Sequence, residues 1–277
     1  MLYLYAITDA PAGELALPAT GILPDSPVID LSLPGLTAIA SEVPAEIFGE
    51  APLRALLEDA AWMRQRVLAH EQVVAALKGT VLPLKFGTLF SVRDTLIATM
   101  SNHREALEET LARLRGAREW GVKLFCDLDR LRRWIDAAQP PQADGAACGA
   151  GAAFFARKQR DRWLQGQTQA AIRACVEHSH DRLARLVRAA AVVSPQSPAL
   201  HGRPEEMSLN AAYLVAETQQ DKVLDCLREL TESYAPQGFD FVLTGPWAPY
   251  HFARIYLGEL PQPPCPTHTP HLTRPLG

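Results

Sequence analysis

The first residues of the chain have the hydrophobic pattern of a buried strand. Between Met1 and Thr8 both alternating faces are apolar, which is typical of a central strand covered on its two sides. Residues 9–27 are rich in Pro and Gly and predict a loop, and shorter strands are predicted at 28–33 and 36–43.

Helical spacing begins after these strands. Apolar residues of 52–77 recur on one stripe, with Pro52 suited to a first helical turn. The pattern then predicts a strand at 81–90 bent around Pro83 and Gly87, a helix at 94–115 and a strand at 119–126. If the strands at 28–43 are merged as a hairpin or bent strand, the N-terminal half is a modified ferredoxin-like sheet with two helices on one face.

The second half of the chain predicts a different arrangement. Its elements are a short helix at 128–138, a Pro/Gly/Ala linker at 139–148, a long helix at 152–193, a strand at 209–217, a helix at 221–234 and a strand at 239–243. The predicted fold class is α+β in two domains, an N-terminal ferredoxin-like domain at 1–127 and a C-terminal domain at 128–257 with a long helix and a small sheet. Residues 258–277 are rich in proline and predict a disordered tail.

Composition excludes several classes of function. A net charge of −4 over 277 residues argues against a general nucleic-acid binder. No apolar run has the roughly 18 residues of a membrane span, and the N-terminus lacks a secretory pattern. The five cysteines include no Cys-x-x-Cys, so we expect a reduced cytoplasmic protein without a metal site. No phosphate-binding or nucleophile motif is present, and we predict neither a cofactor nor an enzyme.

The segment 241–252 is the most informative part of the chain. It enters as a strand and then contains one Gly, two Pro and two large aromatic residues within six positions. Because Pro246 and Pro249 lack an amide donor, a regular ladder is not expected to continue through them. A rigid turn that presents Trp247 and Tyr250 follows, which favours packing or partner recognition over chemistry.

These residues also carry a family resemblance. Residues 244–252 resemble the C-terminal signature of the GvpF/GvpL family of gas vesicle proteins. Further matches follow in chain order at 1–7, at 70–71 with 81–88, at 119–123, and more weakly at 149–151 with 157–158 and at 210–215. On this resemblance the structural motif residues are Pro83, Gly87, Gly121, Lys123, Arg157, Lys158, Thr244, Gly245, Pro246 and Pro249.

The resemblance implies a minor component of the gas vesicle, made in the cytoplasm, that acts on the small apolar shell protein. An accessory protein with an open sheet edge or an aromatic turn is suited to cover the apolar surface of an unassembled shell subunit. Other accessory proteins are further candidate partners, and self-association through the long helix is a third possibility. The candidate partner-binding residues are Trp247, Tyr250, Phe252, Leu84, Lys85, Phe86 and Thr88.

The alternative hypothesis is a ferredoxin-like small-ligand-binding protein or enzyme. Its groove would lie near His70, His103 and Lys85, since both histidines fall on the apolar stripes of predicted helices. His70-Glu71 lacks the second His of a zinc-protease motif, because position 74 is Val. The other interpretation of the two histidines is that each is a separately hydrogen-bonded core residue.

Overall fold

The computed structural model describes residues 1–33, 35–138, 150–253 and 255. The chain divides into two compact units: residues 1–116 with the segment from Trp247 onward, and residues 117–246. This division differs from the predicted boundary at residue 127, because the strand before that boundary pairs inside the second unit. The predicted linker at 139–148 and tail at 258–277 lie outside the described residues.

The first unit is built on an antiparallel sheet. Its strands are β1 (Leu2–Thr8), β2 (Val28–Leu33), β3 (Leu36–Glu42), β4 (Val81–Pro83) and β5 (Leu89–Phe90). They are ordered β2-β3-β1-β4, and β5 pairs with the N-terminal end of β1 on the β4 side. Every residue of β1 is buried, which confirms the central strand predicted from its two apolar faces.

Five helices accompany this sheet: α1 (Ala45–Phe48), α2 (Glu50–Leu56), α3 (Ala60–Ala76), α4 (Arg93–Asn102) and α5 (Arg104–Leu114). Each of the two helices predicted here is split. The first divides before Asp59, whose carboxylate accepts the N–H groups of Ala61 and Trp62 at 2.9 and 3.1 Å and so caps α3. The second divides at His103.

The second unit contains the other four strands. Its elements are β6 (Ala117–Cys126), α6 (Leu128–Ala138), α7 (Ala150–Ala184), β7 (Ala189–Val193), α8 (Pro198–His201), β8 (Glu206–Ala216), α9 (Gln220–Tyr234) and β9 (Phe239–Trp247). The sheet order is β7-β8-β6-β9, with β8 antiparallel to both β6 and β7. The Asp127 N–H donates to Gly238 O while Thr244 lies over Gly121, so β9 also runs antiparallel to β6.

Three sequence predictions are corrected in this unit. The strand at 119–126 was expected to close the N-terminal sheet, but β6 pairs with β8 and β9 instead. The long helix was expected to reach residue 193, but α7 ends at Ala184 and the chain continues as β7, which pairs with β8. β9 is longer than predicted and includes Pro246, which an edge strand tolerates because one side of its backbone needs no ladder partner.

The two sheets have the same strand order. Counted from the N-terminus of each unit, the strands lie in the order second, third, first, fourth. In the second unit α6 and α7 join the first strand to the second, and α9 joins the third to the fourth, which is the β-α-β-β-α-β pattern of ferredoxin-like folds. The first unit has residues 9–27 in place of the first helix. The class is therefore α+β with antiparallel sheets, as predicted, and the modified ferredoxin-like pattern uses β4 as its fourth strand.

In the part of the chain that the structure describes, no helix has both the length and the apolar character required to cross a bilayer.

Candidate functional site

The two regions singled out as partner-binding candidates meet at His70. This histidine of α3 is 0% exposed. Its Nδ1 lies 2.9 Å from the Tyr3 hydroxyl, and its Nε2 lies 3.1 Å from Leu84 O and 3.2 Å from the Tyr250 hydroxyl. One side chain thus connects β1, the loop between β4 and β5, and the signature segment, by which we mean residues 244–252.

The hydrogen bonds determine the tautomer of His70. Leu84 O can only accept, so Nε2 carries the ring proton and Nδ1 accepts from Tyr3. The Tyr3 hydroxyl in turn accepts the Gly87 N–H at 3.3 Å. Burial lowers the pKa of His70 to about 4, against a bond to Leu84 O that favours the charged form. The ring is therefore neutral near pH 7, with both nitrogens in hydrogen bonds.

Glu71 provides a second contact for Tyr250. Burial raises the pKa of the Glu71 carboxyl, and a hydrogen bond from Tyr250 partly offsets that rise. The Tyr250 hydroxyl donates to this carboxylate and accepts the Nε2 proton of His70. The consecutive pair His70-Glu71 thus acts as an anchor for the signature segment.

A third contact fixes the end of the signature segment. Arg113 Nη2 of α5 donates to Phe252 O at 2.9 Å, and the Phe252 side chain is only 8% exposed. Trp247, three residues into the segment, is 56% exposed. The signature segment therefore has a fixed base at Tyr250 and Phe252 and an indole ring that is largely open to solvent.

The loop between β4 and β5 is tied to β1 from both ends. Leu84 N donates to Tyr5 O at 2.8 Å, and Leu4 N donates to Thr88 O at 2.9 Å. The Leu84 and Thr88 side chains are buried, Phe86 is half-buried and Lys85 is exposed. Of the candidate partner-binding residues, Leu84, Thr88 and Phe252 therefore have internal contacts, whereas Trp247 and Lys85 present accessible surface and Phe86 and Tyr250 are intermediate.

A second buried network holds residues 9–27 in place. The Tyr5 hydroxyl accepts the Ile22 N–H at 2.6 Å and lies 2.8 Å from Ser41 Oγ. The Arg66 guanidinium of α3 donates to Ile22 O. A Cβ on Gly21 would lie 2.3 Å from Ser41 Oγ, so only glycine fits beside this network. Loop backbone groups thus find side-chain partners inside the unit.

The alternative constellation of His70, His103 and Lys85 is not assembled as a pocket. His103 lies at the junction of α4 and α5 and is exposed, while His70 is enclosed and uses both nitrogens. Across residues 1–33, 35–138, 150–253 and 255, no three His, Cys, Asp or Glu side chains are grouped to hold a metal ion.

The motif residues of the second unit have mostly local roles. A Cβ on Gly121 would lie 2.5 Å from Thr244 Oγ1, so this glycine allows β9 to approach β6. Lys123 Nζ donates to Gln196 Oε1 at 3.1 Å. Arg157 and Lys158 are exposed on α7. Gly245 and Pro246 are exposed at the end of β9. The motif residues Pro83 and Pro249, which belong to the first unit, are buried.

Sequence reasoning missed the partners that make this site. Four residues were not singled out although they hold these segments in place. Tyr3 binds His70, Tyr5 and Arg66 bind the loop at 9–27, and Arg113 binds the signature segment. The available signal was two tyrosines in a strand that is otherwise apolar, because a buried tyrosine hydroxyl requires a hydrogen-bond partner. Which partner each would find is a matter of the fold.

Comparison with known proteins supports the resemblance to the GvpF/GvpL family that the sequence motifs indicate. A family model described as gas vesicle synthesis protein GvpL/GvpF matches residues 1–254. The chain belongs to the GvpL/GvpF family. It is 34% identical over 263 residues to gas vesicle protein L of a Streptomyces species, covering 91% of this chain and 92% of the relative. It is 27% identical to gas vesicle protein L1 of Halobacterium salinarum, covering 91% and 89%.

Solved structures show the same fold. The crystal structure of GvpF from an Anabaena species superposes with a TM-score of 0.66 at 21% identity, covering 94% of this chain and 99% of that chain. The crystal structure of GvpF from Microcystis aeruginosa gives a TM-score of 0.64 at 20% identity, covering 92% and 99%. The GvpL/GvpF fold is thus retained at low sequence identity.

Proposed function

We propose that this protein binds the small hydrophobic shell protein of the gas vesicle, keeps it from aggregating, and assists vesicle nucleation and assembly. Membership in the GvpL/GvpF family supports a gas vesicle accessory role. We further propose that it acts in the cytoplasm in association with gas vesicles. The same proposal includes other accessory gas vesicle proteins and further copies of this chain as additional partners.

The physical need for such a protein follows from the product. A subunit that builds a gas-facing wall must expose apolar surface and unpaired strand edges before it is incorporated. Such surfaces aggregate in water unless another molecule covers them. A protein with a rigid scaffold and an exposed aromatic side chain can cover them reversibly.

The observation that carries the proposal is that Trp247 is exposed on a segment whose neighbouring residues are held in place by hydrogen bonds. Trp247 is 56% exposed, while Tyr250 and Phe252 in the same segment are held by His70 and Arg113. Exposed tryptophans on fixed backbone are effective anchors in interfaces, because a large apolar ring is buried at little cost in side-chain entropy. We assign Trp247 as the contact residue and Tyr250 as its support.

No observation favours the small-ligand or enzyme hypothesis near His70. General acid–base catalysis at pH 7 requires an accessible group whose pKa lies near that pH. Burial instead lowers the pKa of His70 to about 4, and neighbouring side chains and backbone occupy both nitrogens. Its contacts fit a structural role.

Co-expression with the shell protein tests the proposal. The tagged wild-type protein is expected to retain shell protein in the soluble fraction, and Trp247→Ala is expected to lower the recovered amount about tenfold. Trp247→Phe should keep most of it, and Trp134→Ala, which removes another exposed indole in α6, should have no effect. A folded wild-type protein that recovers no shell protein would contradict the function, and a folded Trp247→Ala that binds normally would contradict only the contact residue.

A further inference from the structure

The edge of the second sheet at β7 differs from the other sheet edges of the protein. The described sheets have four edges, formed by β2, by β4 with β5, by β7 and by β9. Natural sheets protect such edges with charges, prolines, bulges or covering loops, since an open edge offers unpaired N–H and C=O groups to any extended chain.

Three of the four edges carry such protection. In β2, Asp30 accepts the Gly13 N–H of the covering loop at 2.6 Å. The β4–β5 edge contains Pro83 and is interrupted by the loop that exposes Lys85. In β9, the exposed Asp240 pairs with Arg203 at 2.8 Å and Pro246 lies near the end of the strand. Each device disfavours the addition of another strand.

By contrast, β7 consists only of alanine and valine. Ala190 and Val192 are exposed, and Val192 is 64% exposed. Both lie opposite core residues, since Ala190 pairs with Tyr213 and Val192 with Ala211. Their side chains therefore stand on the face that carries the core of the unit, at a margin that the described residues leave open.

The remaining parts of the chain are poorly suited to occupy this edge. Residues 139–149 contain no β-branched or aromatic residue, residues 256–260 include a glycine and the charged Glu259, and residues 261–277 are interrupted by repeated prolines. Proline cannot donate to a ladder, and β-branched residues are those that fit a strand surface. The strand that adds to β7 is therefore expected from another molecule.

A second copy of this chain is also a poor occupant. Pairing two β7 strands would bring together only five residues from each copy. Stable interfaces bury roughly 20–30 residues on each side. Five residues suit a contact that forms and releases, as a factor that hands a subunit to a growing wall requires.

We propose that β7 captures, by strand addition, an extended uncharged segment of alternating apolar residues in the unassembled shell protein. This inference rests on the proposed function and adds a binding surface in the second unit. Backbone hydrogen bonds to β7 supply the attachment, and apolar partner residues cover Ala190 and Val192. The absence of charge within β7 selects against segments that would bury a charge against this margin.

A charge placed in the strand tests the proposal in the full-length protein. Co-expression with the shell protein of the same organism is the assay, and recovered soluble shell protein is the readout. Val192→Lys is expected to lower recovery about tenfold, while Val192→Thr, which keeps a β-branched residue, should stay within about twofold of wild type. Val92→Lys is the matched control, since Val92 is 55% exposed in the first unit.

The outcomes separate the two proposals. If the wild-type protein recovers no shell protein, the proposed function and this inference both fail. If it does and a folded Val192→Lys binds equally well, only the β7 assignment is overturned. Should Val192→Lys fold poorly, amide exchange of the wild type decides: protection of residues 189–193 in the complex supports the assignment and unchanged exchange overturns it. A change in the mass of the free protein on Val192→Lys, by light scattering, would identify a second copy as the occupant and also overturn it.

Discussion

The two units of this protein have the same sheet topology but different interiors. Both sheets have the order second, third, first, fourth, but only the second unit has helices between its first two strands. There α6 and α7 contribute Leu131, Ile135 and Ile172 to a core that also holds three free cysteines and is mainly apolar. In the first unit residues 9–27 stand in the place of that helix.

The difference shows what replacing a helix with a loop requires. A helix satisfies its own backbone groups, whereas a loop over a sheet brings N–H and C=O groups that need partners. The first unit supplies these partners from its interior, through Tyr5 to Ile22 N–H and Arg66 to Ile22 O. His70 and Tyr3 do the same for the loop between β4 and β5. The first unit should therefore depend on polar contacts to a greater extent than the second.

The largest expected effect comes from removing the His70 ring. His70→Ala leaves the Tyr3 hydroxyl proton without its acceptor and Leu84 O without its ring donor, and it opens a cavity at a fully buried position. We expect a loss of about 3–5 kcal/mol in the free energy of unfolding of the first unit. Amide exchange should show the loss at β1 and not at β8.

The matched change in the second unit is His180→Ala. His180 of α7 has one hydrogen bond, to the Tyr213 hydroxyl at 2.9 Å, and is only partly buried. Its removal should cost about 1 kcal/mol. Equal losses from the two substitutions would show that the first unit does not depend on its polar network in the way we describe.

Acidification should destabilise the first unit more than the second. Unfolded His70 binds a proton below its ordinary pKa of 6.5, whereas burial lowers the pKa in the folded state to about 4. Between these pH values the unfolded state binds more protons than the folded state. The stability that neutral, buried His70 contributes is therefore fully present above pH 6.5 and is lost as the pH falls through 4. The loss is on the order of 3 kcal/mol.

Glu71 opposes this trend, because its raised pKa makes the folded state bind a proton more readily as the pH falls. The test compares urea unfolding between pH 7 and pH 4 in wild type and His70→Phe. The variant should lose the steep part of the pH dependence while keeping the ring volume. An unchanged slope would mean that His70 is not the group that titrates.

How much of this could be read from the sequence differs between strands. The two apolar faces of β1 marked it as central, because burial on both sides leaves a direct trace in the residues. The partner of β6 left no such trace, since alternation shows which face is buried and not which strand lies alongside. The residues of β7 were predicted as the end of the long helix because Ala190 continues the apolar stripe of that helix, and a stripe does not show that the chain leaves the helix to pair with β8.

The sequence predicted the separate parts of the candidate site but not how they come together. Aromatic residues between prolines marked the signature segment, and the apolar stripe of α3 marked His70 as one that the core could hold. Their meeting could not be read, because His70 and Tyr250 are 180 residues apart in the chain. The inward position of Leu84 and Thr88 follows from hydrogen bonds to β1, which the strand pattern alone does not show.

A steric test addresses the second unit, where close strand approach replaces polar contacts. Gly121→Ala would place a Cβ 2.5 Å from Thr244 Oγ1, so the Thr244 side chain must change rotamer or β9 must move away from β6. We expect a loss of about 1–3 kcal/mol. Thr244→Ala should restore most of it in the double variant, because the next atom of Thr244 lies at 3.9 Å. Additive losses in this double-mutant cycle would show that the two residues are not coupled.

The smallest effect concerns how the main helices begin. Asp59 caps α3 through the N–H groups of Ala61 and Trp62, so Asp59→Ala should cost the first unit about 1 kcal/mol. In the second unit α9 follows a 3-10 turn at Glu217–Gln219, and Gln219 makes no side-chain cap, so Gln219→Ala should be neutral. Because α3 also carries His70 and Arg66, loss of the cap should loosen the loop at 9–27 together with the helix. Amide exchange that rises in α3 but not at Ile22 would mean that the loop is held independently of the helix start.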